Sequence, residues 1–254
     1  MKQAQQFILL FAAGVLALSA GRAVADEIRV AVASNFSETF KVIARQFELH
    51  TGHKVILITG SSGKHYAQIR NGAPFDAFFS ADLKRPQLLE HEGLTLAQSR
   101  FTYALGKLIL WSPQAGYVDP NGDVLANKKI RYLAIANPKL APYGRAAQEV
   151  LQAQGQWLSF QGHLVRGENI GQTFQFVKSG NVALGLIAYS QVKRPGRSIE
   201  GSYWEIPQTH YSPIVQQAVQ LQESPATREF LSFVRGEASL QTIRSFGYGA
   251  PNAE

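Results

Sequence analysis

The chain has 254 residues, 45% of them hydrophobic, and carries 25 Lys and Arg against 18 Asp and Glu, a net charge of +7. It has no cysteine, which excludes a disulfide framework and leaves the apolar core to hold one large or two medium domains together. Its basic residues are scattered, without interleaved aromatics, which excludes a nucleic-acid platform.

Residues 1–25 read as a cleavable secretory signal peptide. Lys2 gives a positive start, residues 7–20 an apolar core, and Ala23-Val24-Ala25 an A-x-A cleavage site, too short and wrongly flanked for a spanning helix. The mature protein then begins at Asp26, is exported to the periplasm, and has no later apolar run long enough to cross a bilayer. Without Lys2 and Arg22 it keeps 23 basic residues against 18 acidic ones, a charge of +5 that helps gather an anion and equally serves solubility.

The run Ile28-Arg29-Val30-Ala31-Val32-Ala33 is rich in β-branched residues and stops at Ser34-Asn35-Phe36-Ser37. Beyond it Phe36, Phe40, Ile43, Ala44 and Phe47 recur at helical spacing, so the stretch reads as a buried strand, a tight turn and an amphipathic helix. A strand at 54–59, a helix at 62–71 closed by Gly72, an apolar run at 74–80 and a helix at 83–91 continue the alternation. Such alternation predicts a parallel, doubly wound sheet, whose usual binding crevice lies beyond the carboxyl ends of its strands. The Ser34 and Ser62 turns both fall there.

An extended segment at 102–112 leads into Pro113, Gly116, Pro120, Asn121 and Gly122, a loop-rich boundary. A second series follows: strand 130–136, helix 143–154, strand 163–165, helix 170–178 and strand 182–188. A short strand at 203–206 and another at 215–221 come next, then helices at 225–235 and 237–246 with no strand series of their own to pack on. The expected architecture is α/β in two lobes, each a mainly parallel sheet flanked by helices, with a closable cleft between them. Residues 26–105 and 211–254 form the first lobe and residues 106–210 the second.

Four turns open helices with groups able to donate hydrogen bonds: Ser34-Asn35, Gly60-Ser61-Ser62-Gly63, Ala141-Pro142-Tyr143-Gly144 and Asn169-Ile170-Gly171. Free backbone N–H groups at helix starts form an anion site even before side chains are added. Each turn also has a purely structural reading. Ser and Asn are preferred capping residues, Pro142 suits a first helical turn, and a tyrosine such as Tyr143 is usually a packed residue. Glycines in the second turn would let the main chain approach a ligand. None of the turns places Lys, Arg, Asp or Glu at a contact position; Lys64 and Glu168 are expected to point away. Burying a bare dianion costs tens of kcal/mol in the idealised limit. Offsetting it with neutral groups takes about six to eight donors, each contributing about 1.5–3 kcal/mol when its partner is charged. Helix ends add about 0.3–2 kcal/mol apiece. With no carboxylate to accept a ligand proton, the set favours a fully deprotonated tetrahedral ion.

Several segments carry a resemblance, in order, over essentially the whole mature chain: Ala33-Ser34-Asn35-Phe36, the Gly60-Ser61-Ser62 turn before Gln68-Ile69, and Asn71-Gly72-Ala73-Pro74-Phe75-Asp76 leading to Phe79-Ser80-Ala81-Asp82. Ala136-Asn137-Pro138 to Pro142-Tyr143-Gly144 and Leu184-Gly185-Leu186 complete it. Together they resemble the periplasmic molybdate-binding components of ABC transporters, the ModA family. The resemblance implies the two-lobed type II periplasmic-binding-protein fold. It further implies a non-enzymatic, monomeric receptor for molybdate or tungstate that delivers the ion to permease subunits at the inner membrane. The ion would be held through its oxygens, with no cofactor and no direct metal ligand, by Asn35 with Ser34 beside it, Ser62, Tyr143, and Ile170 through its main chain. Many members place a ligand tyrosine where this chain has Ala188, so the Tyr143 hydroxyl is expected to substitute from another turn, while Tyr189 faces the opposite side of its strand.

Other readings have weaker support. Ser61-Ser62-Gly63-Lys64 fits the S-x-x-K pattern of serine acyl-transfer enzymes but lacks S-D-N and K-T-G partners, and it does not have P-loop spacing. The histidines, His50, His53 and His91 among them, lack metal-ligand spacing, and all six are expected on solvated surface. Within the binding class the alternatives are a sulfate- or phosphate-type receptor and a ferric-ion receptor, for which Tyr143 and Tyr189 are the available tyrosines.

Overall fold

Two five-stranded sheets, each flanked by helices, organise the chain in a computed structural model that describes residues 25–127 and 130–250. The signal peptide expected at 1–25 lies outside the described residues but for its last position. No helix among the described residues is long and apolar enough to cross a membrane.

The first sheet contains β1 (Glu27–Ala33), β2 (Lys54–Gly60), β3 (Ala77–Ser80), β4 (Phe101–Gly106) and, from far down the chain, β10 (Ile214–Gln220), in the order β2-β1-β3-β10-β4. β1 runs parallel to both β2 and β3, so these three strands end at one edge, where Ala33 pairs with Gly60. β10 runs antiparallel to β3 and β4. Its direction follows from its approach: it returns from the other sheet by a crossing segment rather than through a helical crossover.

Helices cover both faces of this sheet, so β1 is buried on both sides and reads as a near-continuous apolar run. On one face α1 (Ser37–Thr51) buries Phe40, Ile43, Ala44 and Phe47. The two helices near the end of the chain, α6 (Pro225–Arg235) and α7 (Glu237–Ser245), join it, and Phe230 lies 5.5 Å from Phe40 and 5.0 Å from Phe47 between ring centroids. Each such phenylalanine contributes about 1.5–3 kcal/mol by burial. On the opposite face α2 (Ser62–Arg70) and α3 (Lys84–His91) place Ile69 and Leu89 against Ala31, Phe78 and Val219.

The second sheet contains β5 (Leu108–Ser112), β6 (Leu133–Ala136), β7 (Leu164–Gly167), β8 (Gly185–Ala188) and β9 (Ser202–Glu205), ordered β7-β6-β8-β5-β9. β6 is parallel to β7 and β8, and β5 is antiparallel to β8 and β9. α4 (Pro142–Ala153) packs Tyr143, Ala147, Val150 and Leu151 on one face. α5 (Ile170–Lys178) sets Val177 against Ala134, Trp111 and Ile187 on the other.

The extended segment expected at 102–112 is divided: β4 belongs to the first sheet and β5 to the second, with Lys107 alone between them. The return crossing spans 206–213 and is tied to the first, because the Leu108 amide donates to the Tyr211 hydroxyl at 3.2 Å.

Two of the four pairings in each sheet are antiparallel, so the sheets are mixed where mainly parallel ones were expected, and a second expectation, on burial, is corrected as well. His65 is not solvated: it lies on the inner face of α2 and is only 2% exposed. Its ring occupies the space over Gly60, where a Cβ would stand 2.8 Å from Nε2. Nε2 faces the Val32 carbonyl at 3.3 Å and Nδ1 faces Gln68 Oε1 at 3.0 Å. A polar residue can occupy an inner helical position when its neighbours satisfy it, and helical spacing alone does not reveal those neighbours.

Burial holds the His65 ring below its ordinary pKa, outweighing the two contacts, which favour the protonated form. The unfolded chain therefore binds this proton more readily, and the stability contributed by the neutral ring is full above about pH 6.5 and lost as pH falls through the lowered folded value. His65→Gln is expected to flatten the decline of the melting temperature between about pH 7 and pH 5. An unchanged slope in scanning calorimetry would assign that decline to other groups.

Candidate functional site

The parallel strands of both sheets bring their carboxyl ends to one interface. After β1 a single 3-10 turn, Ser34–Phe36, precedes α1; after β2, Ser61 leads into α2; after β3 comes Ala81. From the second sheet, Ala141-Pro142 start α4 and Asn169 starts α5. Ser34, Asn35, Ser62, Tyr143 and Ile170 all line one small cavity between the sheets. Ser61 and Asn169 also border it, and none of its described lining residues is Lys, Arg, Asp or Glu.

The hydroxyl groups in this cavity share one feature. Ser34 Oγ accepts the Gly171 amide at 3.0 Å, and Ser62 Oγ accepts the Ala81 amide at 2.9 Å. The Tyr143 oxygen faces Gln216 Nε2 at 3.5 Å, a longer and weaker contact of the same polarity. A hydroxyl has one hydrogen and two lone pairs, so an oxygen that already receives an N–H keeps its own hydrogen to donate. Burial pushes the Tyr143 hydroxyl well above its ordinary pKa, as it does for the neighbouring Tyr103 and Tyr248, so all three are protonated at neutral pH.

Main-chain amides add to these donors. Ser62 and Ile170 are the first residues of α2 and α5, positions whose N–H has no intrahelical acceptor. The Ile170 side chain itself is buried in the core of the second sheet. The Asn35 side chain is engaged within the protein: its Nδ2 donates to Gln216 Oε1 at 2.7 Å and to the Tyr248 hydroxyl at 3.1 Å, which commits both hydrogens, and its Oδ1 is buried without a partner.

Capping and donation are divided between adjacent residues. Ser61 Oγ accepts the Lys64 amide at 3.4 Å and Asn169 Oδ1 accepts the Gln172 amide at 3.0 Å, so these two are helix caps. Ser34 and Ser62 accept amides from other parts of the chain. The two glycines of the second turn serve packing rather than approach to a ligand. Gly60 makes room for His65, and Gly63 makes room for the second sheet's main chain, donating to the Leu140 carbonyl at 2.9 Å. Lys64 and Glu168 are not among the residues that line the cavity, and they pair with each other at 2.9 Å. Both are about half exposed, which limits the pair to about 0–1 kcal/mol. Since the Lys64 ammonium faces Glu168, Ser61 and Lys64 do not form an acyl-transfer pair.

Three partners escaped the sequence reading. Ala81 holds Ser62 because its turn is locked: the buried Asp82 carboxylate accepts Ser80 Oγ at 3.0 Å and the Arg85 amide at 3.1 Å, and it pairs with the Arg85 guanidinium. The Ser80-Ala81-Asp82 motif was visible, but its mechanical role was not. Gly171 and Gln216 carried no local signal beyond a glycine at a helix start and a polar residue in an apolar strand. Ala188 ends β8 fully buried and donates its amide to Gln191 Oε1 at 3.0 Å, while Gln191 Nε2 supports the Ile170 carbonyl at 2.9 Å. Tyr189 lies away from the cavity, with Tyr203 at 6.2 Å and the Lys107 ammonium 5.8 Å from its ring centre. Among the described residues no group of three or more His, Cys, Asp and Glu could hold a metal ion.

Residues 28–249 match the family model described as bacterial extracellular solute-binding protein. The chain is 46% identical over 247 residues to the molybdate-binding protein ModA of Azotobacter vinelandii, covering 96% of this chain and 97% of that one. It is similar to the solved structure of an Azotobacter vinelandii periplasmic molybdate-binding protein at 42% identity and a TM-score of 0.86, over 89% of this chain and 100% of that one. The sulfate-binding protein SubI of Mycobacterium tuberculosis shares the fold at 13% identity and a TM-score of 0.70, over 90% of this chain and 88% of that one.

The Asp82 carboxylate is buried and the Arg85 guanidinium partly so, with side-chain exposures of 7% and 16%. Breaking a fully buried pair costs about 3–5 kcal/mol, and the access of Arg85 to solvent lowers that figure. Asp82→Ala is expected to lower unfolding stability by about 1–3 kcal/mol in urea titration. A loss near zero would show that the Ala81 turn stands without the pair.

Proposed function

The chain belongs to the bacterial extracellular solute-binding protein family and, within it, to the molybdate-binding proteins, and on that premise we propose that it captures molybdate or tungstate outside the cytoplasm for an ABC importer. It works by binding and release rather than by catalysis. The observation that carries this reading is the cavity between the sheets, where the helix starts of both halves present neutral donors and, among the described lining residues, no Lys, Arg, Asp, Glu or His.

We read Ser34, Ser62 and Tyr143 as hydroxyl donors to the ion, with the main-chain amides of Asn35, Ser62 and Ile170 completing the set. An ionised oxyanion offers only acceptors, and each hydrogen bond to it contributes about 1.5–3 kcal/mol. The helix starts behind Ser62, Tyr143 and Ile170 add the attraction of their dipoles, about 0.3–2 kcal/mol each. We take residues 26–105 with 211–254 as one lobe and residues 106–210 as the other, a division supported by the separate sheets each contributes to. The signal peptide at 1–25, a monomeric state, and delivery to permease subunits at the inner membrane complete the proposal.

Molybdate or tungstate is expected to raise the melting temperature by mass action, while sulfate at equal concentration does little because its shorter bonds leave the same donors out of reach. Equal shifts with sulfate would overturn the assignment of the ion. In isothermal titration with molybdate, Ser62→Ala and Tyr143→Phe should each weaken binding by about 1.5–3 kcal/mol. Unchanged affinity in both would remove them from the site. Gly63→Ala should lower both the melting temperature and the molybdate affinity, because the added Cβ would stand 2.8 Å from the Leu140 main-chain oxygen of the facing half, where the Gly63 amide now donates at 2.9 Å. Wild-type affinity would show that this approach is not required for binding.

A further inference from the structure

Gln216 is fully buried in β10, beside an irregularity where the pairing with β4 passes over Tyr103. Such bulges re-aim side chains, often next to functional sites. Gln216 Oε1 accepts from Asn35 Nδ2 at 2.7 Å and lies 3.0 Å from the Tyr103 hydroxyl, whose one hydrogen is shared with the Ser80 carbonyl at 3.1 Å, and Nε2 faces the Tyr143 hydroxyl at 3.5 Å.

The neighbours dictate which end of this amide is nitrogen. The Tyr248 hydroxyl lies 2.8 Å from the Asn35 main-chain carbonyl, which can only accept, so the single hydroxyl hydrogen is used there. The Tyr248 oxygen must then accept from the Asn35 side chain, which fixes Asn35 Nδ2 at that position, 3.1 Å away. The same nitrogen faces Gln216, so Gln216 presents its oxygen to Asn35 and its nitrogen to Tyr143. Reversing either amide sets donor against donor or acceptor against acceptor. The arrangement leaves Asn35 Oδ1 buried and unpartnered, a cost the site accepts for the polarity it fixes.

Gly106 supplies a second, independent observation. It ends β4 at the crossing between the sheets, and it is not among the glycines in the left-handed region, so its conformation would admit any residue. Space is what requires glycine: a Cβ there would overlap the Tyr143 hydroxyl and stand 2.8 Å from Gln216 Nε2.

We propose that Gln216, in the space left by Gly106, is a positioning residue for oxyanion binding: it takes the Tyr143 oxygen as acceptor and thereby holds the Tyr143 hydrogen toward the ion. This rests on the reading of Tyr143 as a ligand residue. Tyr143 belongs to α4 of the second sheet, and Gln216 and Gly106 belong to the first, so the slot is complete only when the two halves meet. Orientation of this donor and docking of the halves are then one event.

The test is a pair of double-mutant cycles read by isothermal titration with molybdate, combining Tyr143→Phe with Gly106→Ala and with Gln216→Met. If the proposal holds, Gly106→Ala and Gln216→Met each weaken binding about fivefold or more alone, and each costs less than about twofold when Tyr143 is already Phe. Because Tyr143→Phe also removes the atom that a Cβ at Gly106 would overlap, the Gly106 cycle reports the shared slot and the Gln216→Met cycle decides the positioning role: a merely structural role of Gln216 would not be relieved by deleting one hydroxyl. If Tyr143→Phe weakens binding and the other losses multiply in full on top of it, the positioning role is overturned and the ligand reading of Tyr143 stands. If Tyr143→Phe leaves affinity unchanged, both fall together.

Discussion

Donor polarity is the constraint on which the site depends. An oxyanion presents nothing but acceptors, while a hydroxyl is ambivalent and a buried one turns toward whatever its surroundings leave open. The fold removes that freedom by filling an oxygen lone pair on each of Ser34, Ser62 and Tyr143 with an N–H from elsewhere: Gly171, Ala81 and Gln216 respectively. Each filling group is itself fixed by structure. Gly171 sits in the first turn of α5, Ala81 in a turn braced by Asp82, and Gln216 in a strand core among buried tyrosines.

That polarity in turn relies on how the two halves present their helix starts. The second residues of α2 and α5 are both glycines, and each donates its amide across the interface: Gly63 to the Leu140 carbonyl, Gly171 to Ser34 Oγ. The contacts are reciprocal, first half to second and second half to first. A side chain at either position would intrude on the facing group, at 2.8 Å from Leu140 O for Gly63 and 3.1 Å from Ser34 Cβ for Gly171. The glycines at these turns are thus explained by the approach of two pieces of protein.

How much of this was legible in the sequence depends on the distance over which each group acts. Strand, turn and helix at 28–47 are written locally in β-branched residues followed by helical spacing, and the four helix starts were readable for the same reason. Capping and donation were not separable, because Ser61 and Ser62 are chemically identical neighbours, and only the position of Ala81 tells them apart. Gln216, Gly106 and Tyr248 act through contacts that no window along the chain contains; Asn35 and Tyr248 are 213 residues apart. His65 failed for a related reason, since an inner helical position with a polar residue is decided by what packs against it. The mixed direction of the sheets was likewise hidden, because β5 and β10 enter from crossing segments whose path the strand pattern does not encode.

The absence of charged side chains from the cavity also bears on discrimination between ions. A lysine or arginine in the cavity would attract any anion, since Coulomb attraction falls only as the inverse of distance. A hydrogen bond from a fixed neutral donor loses most of its strength within a few tenths of an ångström beyond its preferred length, about 2.7–3.2 Å for N–H donors. Donors anchored on two sheets cannot follow a smaller tetrahedron inward without moving the glycine contacts that hold the halves together. Neutral, rigid and simultaneously engaged groups therefore convert ion size into affinity. Among the described lining residues Tyr143 is the one titratable side chain, and burial pushes its hydroxyl above the ordinary range, so the donors of the cavity keep their protons around neutral pH.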